Sequence, residues 1–262
     1  MKIEFDVTGV RAKAIRKIQQ TTGSVTFIYH ALINYNPDEL LPLQTDSLPV
    51  VVGGLDSGTD TASARKDGLD WVMRKAFEDF IIALSESLIE ACAFLKLQGF
   101  ARESKINPLQ GLALTEEKIV SIKEKPRKMS FPDLVSEIEK ESGHELYLKK
   151  EILSVNAVRN CLIHRNGVVS DLDTRNEPDD ILRLQFIDLL TFYRKDDKMV
   201  EMKWEDKSTL RTDAIQFGIA SKVMEIRSGT EIKIDQNIIN AVAYTCVSFI
   251  EHLYAAIVPP LK

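Results

Sequence analysis

Cysteine is scarce in this chain, with only Cys92, Cys161 and Cys246 among 262 residues. They are too few and too scattered for a disulfide framework. Each lies in an apolar stretch, where a free thiol behaves as a small hydrophobe. Histidine is almost as rare, with four residues, and no Cys-x-x-Cys or His-x-x-x-His spacing occurs. No zinc site, no other metal site and no cofactor are therefore expected. The longest apolar runs fall well short of a membrane span. The opening Met1-Lys2-Ile3-Glu4-Phe5-Asp6 lacks the basic head and apolar run of a secretory signal. A cytoplasmic location with no membrane partner is the expectation. An excess of positive charge is missing too: 34 basic against 39 acidic residues leave a net charge of −5. That excludes a uniformly basic nucleic-acid binder but leaves room for a locally basic groove.

Hydrophobic residues make up 44% of the chain and charged residues 28%, enough to bury a real core. The strongest pattern runs from about residue 63 to 97. Met73, Phe77, Ile81, Leu84, Leu88, Cys92 and Leu95 recur at spacings of three and four. Ala76, Phe80, Ala83 and Ala91 form a second stripe beside the first, so this helix is covered on two flanks. Ser130-Phe131-Pro132-Asp133 predicts a helix start and Gly143 its stop. A further helix is expected over about 147–165, halted at Asn166-Gly167. Asp235 reads as the cap of a last helix whose stripe is Ile239, Val242, Cys246, Phe249, Leu253 and Ile257, ended by Pro259-Pro260.

Residues 181–234 change period. Leu182, Leu184 and Phe186 alternate with polar neighbours, as do Val200, Met202 and Trp204 beyond the turn-prone Lys195–Lys198. Further strands are expected at Val223–Ile226 and Ile232–Ile234, around Ser228-Gly229. The expected organisation is mainly α. An N-terminal helical extension and linker occupies residues 1–60, and an antiparallel helical bundle residues 61–262, with a small β insertion at about 181–234. Within the first 60 residues, one or two short helices are expected, broken at Thr21-Thr22-Gly23-Ser24, followed by a short strand-like run at Val50–Val52. Gly53-Gly54-x-x-x-Gly58 lacks the Gly-Lys-Ser/Thr of a phosphate loop and reads as a loop.

The residues with chemistry in them gather on the helix at 147–165. Ile152, Val155, Val158, Leu162 and Ile163 share a broad face, and Arg159 falls within it. A charge there is costly unless it finds a partner or lines a wet interface. Asn156, Asn160 and His164, at i, i+4 and i+8, form a polar row on one flank. One helix thus offers a guanidinium suited to phosphate geometry and an imidazole that titrates near neutrality.

Arg159-Asn160-x-x-x-His164, near a helix end and followed by Asn166-Gly167, resembles the signature of the HEPN (higher eukaryote and prokaryote nucleotide-binding) superfamily. The resemblance covers roughly residues 61–165 and 235–258. It implies a HEPN-like helical bundle and a metal-independent endoribonuclease that works as a homodimer. RNA would be cleaved by attack of its own 2′-hydroxyl. His164 would be the proton-transfer residue, Arg159 the cation on the phosphate and Asn160 an orienting group. Lys149, Lys150 and Arg165, on or beside the same helix, are the candidate RNA-binding residues. A toxin or phage-defence effector, with an antitoxin or other partner subunit, is the biological setting it implies. The competing expectation is a non-catalytic RNA-binding or protein-interaction adaptor.

Three weaker signals remain. Lys118, Lys123, Lys125, Arg127 and Lys128 make a basic patch, either a solvated face or a surface that steers RNA. Glu86 and Glu90 are a helical i, i+4 pair, read as surface or as polar support for the site. The acidic stretch Asp171–Asp180 reads as an exposed loop.

Overall fold

A single long helix is the axis around which the chain is arranged. In the computed structural model, which describes residues 6–34, 61–103, 116–175, 179–195, 198–202 and 215–258, α2 runs from Thr61 to Glu103. Its two apolar stripes are both covered, with Ala76, Phe77, Phe80, Ala83, Leu84, Leu88, Ala91 and Cys92 wholly buried. Helices α1 (Val7–Ile33), α3 (Glu116–Arg127), α4 (Phe131–Ser142), α5 (Lys149–His164) and α7 (Gln236–Ile257) all pack on it. Each large apolar side chain removed from water contributes about 1.5–3 kcal/mol, so the buried side chains of this axis are a large share of the core.

Several boundaries follow from local chemistry that the sequence announces. Ser130 caps α4 by accepting the Asp133 amide at 3.3 Å, Pro132 lies in the first turn, and Gly143 stops the helix at φ 72°. Asn166 and Gly167 take φ values of 52° and 77° and end α5 as expected. Asp235 caps α7 by accepting the Ile238 amide at 2.8 Å. By length and composition α7 would reach across a membrane, contrary to the reading of the apolar runs. Here it is a core helix, with Val242, Cys246, Phe249 and Ile250 fully buried.

Other expectations are corrected. The break at Thr21–Ser24 does not occur, and α1 is continuous through it. The Thr22 and Thr26 hydroxyls donate back to the carbonyls of Ile18 and Thr22, at 2.8 and 2.9 Å, so they satisfy themselves without leaving the helix. Ala14, Ile18 and Val25 of α1 belong to the common core, and the helix packs against α2 and α7. Helix α3 has no counterpart among the sequence expectations; its composition is highly polar, with Ile122 its buried apolar contact. The stretch after Asp171 is no simple loop, since α6 (Asp171–Thr174) forms a short turn with a capping box between Ser170 and Asp173. The runs at Val50–Val52 and Gly53–Gly58, Trp204 and Pro259-Pro260 lie outside the described residues.

Between α6 and α7 lies a three-stranded antiparallel sheet in the order β2-β1-β3. Strand β1 (Ile181–Lys195) pairs with β3 (Ile215–Arg227) along its length, from Ile181 opposite Arg227 to Tyr193 opposite Ile215. Strand β2 (Lys198–Glu201) pairs only with the distal end of β1. The insertion is therefore β-rich, as the alternation of Leu182, Leu184 and Phe186 indicates. It differs in that β3 is much longer than Val223–Ile226, and that Ile232–Ile234 is no strand but lies beside a lone bridge of Glu231 to Val168.

The root of β1 lies against the bundle, and two helix hydroxyls close its free edge. Ser154 of α5 accepts the Gln185 amide at 2.8 Å, and Thr245 of α7 accepts the Ile187 amide at 3.0 Å. Both hydroxyls are buried. They supply partners that a neighbouring strand would otherwise provide.

Candidate functional site

Helix α5 places the motif through burial of its apolar face, where Ile152, Val155, Val158 and Cys161 are fully enclosed. Arg159 lies at the margin of that face, half-buried. Its Nη1 donates to Asn160 Oδ1 at 3.1 Å, whereas its Nε is buried without a hydrogen-bond partner. Among the described residues it makes no ion pair. Its charge is felt across the helix interface: the Glu78 carboxyl on α2 is held below its ordinary value, first by the Lys75 hydrogen bond, with Arg159 adding to it.

Arg159, Asn160 and Asn156 line one wall of a groove of about 420 Å³. The opposite wall comes from α2, with Ile82, Ser85 and Glu86, and the end from Ser130–Pro132 at the start of α4. The site is thus an apolar-floored cleft with a guanidinium, two carboxamides, two hydroxyl-bearing residues and one carboxylate around it. Such a set can hold a phosphate on the cation while offering donors and acceptors to its neighbours.

His164 stands apart from that groove. It is the last residue of α5, exposed to solvent, and does not line the cleft. It lies five positions after Arg159, about 7.5 Å along the axis and roughly 140° around it. Asn160 links the two, touching Arg159 and lying one helical turn before His164 on the same flank. The polar row expected from the spacing exists, but it divides between the cleft and the helix end.

The three basic residues picked out as RNA-binding do not converge. Lys149 pairs with Glu139 at 2.6 Å, and Glu139 also accepts the Leu146 amide at 3.0 Å, so this cation fastens α4 to α5. Arg165 donates through Nε and Nη2 to both carboxylate oxygens of Asp173, a side chain only 1% exposed. Burial alone would push the Asp173 carboxyl up, but Arg165 and the Ser170 amide and hydroxyl outweigh it and hold the group below its ordinary range. Both cations are structural, consumed by carboxylates that the turn after α5 and the α4–α5 junction bring to them. Lys150 is exposed but sits at the opposite end of α5 from His164, roughly 21 Å away along the axis.

Sequence reasoning passed over Arg74, whose Nη2 donates to the Asn166 carbonyl at 2.9 Å and so anchors the stop of α5. It also missed the groove wall at Ser85 and Ser130, which no local spacing could reveal because it joins three helices. Glu86 lines the groove, in keeping with a supporting role. The Cys92 and Cys161 thiols are each pushed up to about 11 by burial, and neither is a poised nucleophile. Comparison of the chain with protein-family models, with curated proteins and with solved structures gave no match.

Proposed function

We propose that this protein is a HEPN-like endoribonuclease that cuts RNA without a metal ion, acting as a two-fold dimer built around α5. The observation that carries the reading is Arg159: a half-buried guanidinium at an open cleft, with one nitrogen unpartnered and no carboxylate among the described residues holding it. A cation kept in that state costs stability, and an anionic ligand removes the cost. Its planar fork matches carboxylate and phosphate geometry, and phosphate is the anion that RNA presents.

In this reading, a 2′-hydroxyl attacks the adjacent phosphorus while a histidine removes its proton. The P–O5′ bond breaks, a proton returns to the leaving oxygen, and Arg159 offsets the charge on the equatorial oxygens. The products are a 2′,3′-cyclic phosphate and a 5′-hydroxyl. Asn160 positions Arg159 through the contact at 3.1 Å. The separation of His164 from the Arg159 cleft supports the dimer, since a two-fold partner would set its own histidine beside the first protomer's Arg159.

The same separation favours a second reading, an RNA-binding adaptor that does not cut. Labelled RNA incubated with the protein in excess chelator, beside a His164→Ala control, separates them. Cyclic-phosphate products from the wild type alone support the nuclease. Retained RNA binding with no cleavage supports the adaptor.

A further inference from the structure

A cavity of about 620 Å³ lies next to the Arg159 groove, not apart from it. Glu86 and Ile89 line both, so the two openings adjoin along α2. The cavity is walled by α1 on one side, with Lys13, and by α3 on the other, with Lys123 and Arg127. Lys13 and Lys123 make no ion pair among the described residues, and Arg127 only a loose, exposed contact of 3.9 Å with Glu124. Carboxylates stand among these cations. Asp6 is occupied by the Gly9 amide at 2.8 Å, and Glu86 leans toward Lys17 at 3.8 Å. The Ser87 hydroxyl, on the same stretch of α2, is fully buried and has no partner.

We propose that this cavity is the channel taken by the RNA strand beyond the Arg159 cleft, with Lys13, Lys123 and Arg127 as its phosphate-binding residues. The inference rests on the ribonuclease reading for the identity of the ligand. It relocates the RNA-binding cations from Lys149 and Arg165, which carboxylates already hold, to residues on two helices that face each other across open space. Glu86 and Glu90 also line the channel. A carboxylate only accepts hydrogen bonds, so it faces the base N–H groups and 2′-hydroxyls of a strand, never its phosphates. Cations at the walls and acceptors along α2 therefore sort a single strand, backbone toward α1 and α3 and bases toward α2. A duplex has its Watson–Crick donors paired, so it offers the carboxylates fewer free N–H groups than a single strand does.

The test is the salt dependence of binding. Full-length protein carrying His164→Ala, so that the probe survives, is titrated with a labelled degenerate single-stranded RNA over a range of salt. Removing one cation from a phosphate lowers the log–log slope by about 0.7 for single strands. Lys13→Ala, Lys123→Ala and Arg127→Ala should each do so, and the triple variant should lower it by about 2. Lys149→Ala and Lys150→Ala should leave the slope where it was, and unlabelled duplex should compete poorly. RNA that binds with an unchanged slope in the triple variant overturns the channel while leaving the nuclease reading intact. A slope that falls with Lys149→Ala or Lys150→Ala, or equal competition by duplex, also overturns it. No RNA binding by any form sinks both, and absence of cleavage by the wild type with the slopes as expected sinks only the nuclease.

Discussion

Thr245, in the middle of α7, accepts the amide of Ile187 at 3.0 Å and donates to the Ala241 carbonyl of its own helix at 2.8 Å. One buried hydroxyl thus joins the bundle to the edge of β1. Thr245→Val keeps the shape and leaves the Ile187 amide without a partner. The expected loss is about 1–3 kcal/mol, read as a lower midpoint in urea with an unchanged slope. Stability equal to wild type would mean that the contact carries no weight.

Arg159 gives a prediction in the opposite direction. Its Nε is buried and unsatisfied, so Arg159→Met should leave the protein as stable as wild type or more so, while abolishing cleavage. Arg159→Lys should also impair cleavage, since an ammonium does not reproduce the fork. Thermal unfolding measured beside RNA cleavage checks both. A large drop in Tm with Arg159→Met would mark the residue as a structural tie.

Removal of the imidazole tests the chemistry itself. His164→Ala should slow cleavage by about 10²–10⁴, the usual worth of a general acid–base. His164 is exposed at a helix end, so the fold should survive, and circular dichroism should be unchanged. Cleavage at the wild-type rate would exclude the assigned role.

The Arg165–Asp173 pair makes stability depend on pH. Asp173 has a folded-state pKa below its unfolded value. Its contribution is therefore fully present above the unfolded carboxylate pKa of ~3.9 and is lost as pH falls through the lower folded value. Asp173→Ala should be less stable than wild type at about pH 6, with the gap narrowing below about pH 3. Urea midpoints at both values decide it; a gap that widens in acid would contradict the sign.

What was legible in the sequence was local. Ser130, Pro132, Gly143, Asp235 and Asn166-Gly167 each act on backbone groups within a few positions, and the structure uses all of them in that way. The long period of α2 was equally plain, because burial on two flanks repeats every three or four residues. Helix α3 was hidden by its polarity, and the continuity of α1 by threonine hydroxyls that bond their own helix as readily as they break it. The site was half legible: the Arg159–His164 spacing is a property of one helix, but the groove belongs to α2, α4 and α5 together. The true partners of Arg165 and Lys149 were invisible for the same reason, since Asp173 and Glu139 reach them only after a turn has been folded.

The sheet is fastened to the helices by hydroxyls at its root, where Ser154 and Thr245 grip Gln185 and Ile187. Phe217 and Ile219, farther out on β3, stand 68% and 58% exposed. Ser154 lies on the same helix as Arg159, so the root of the sheet and the cleft share one element. A change at Gln185 or Ile187 is therefore expected to be felt on α5 and α7, whereas one at Phe217 or Ile219 is expected to act independently of the residues on α5.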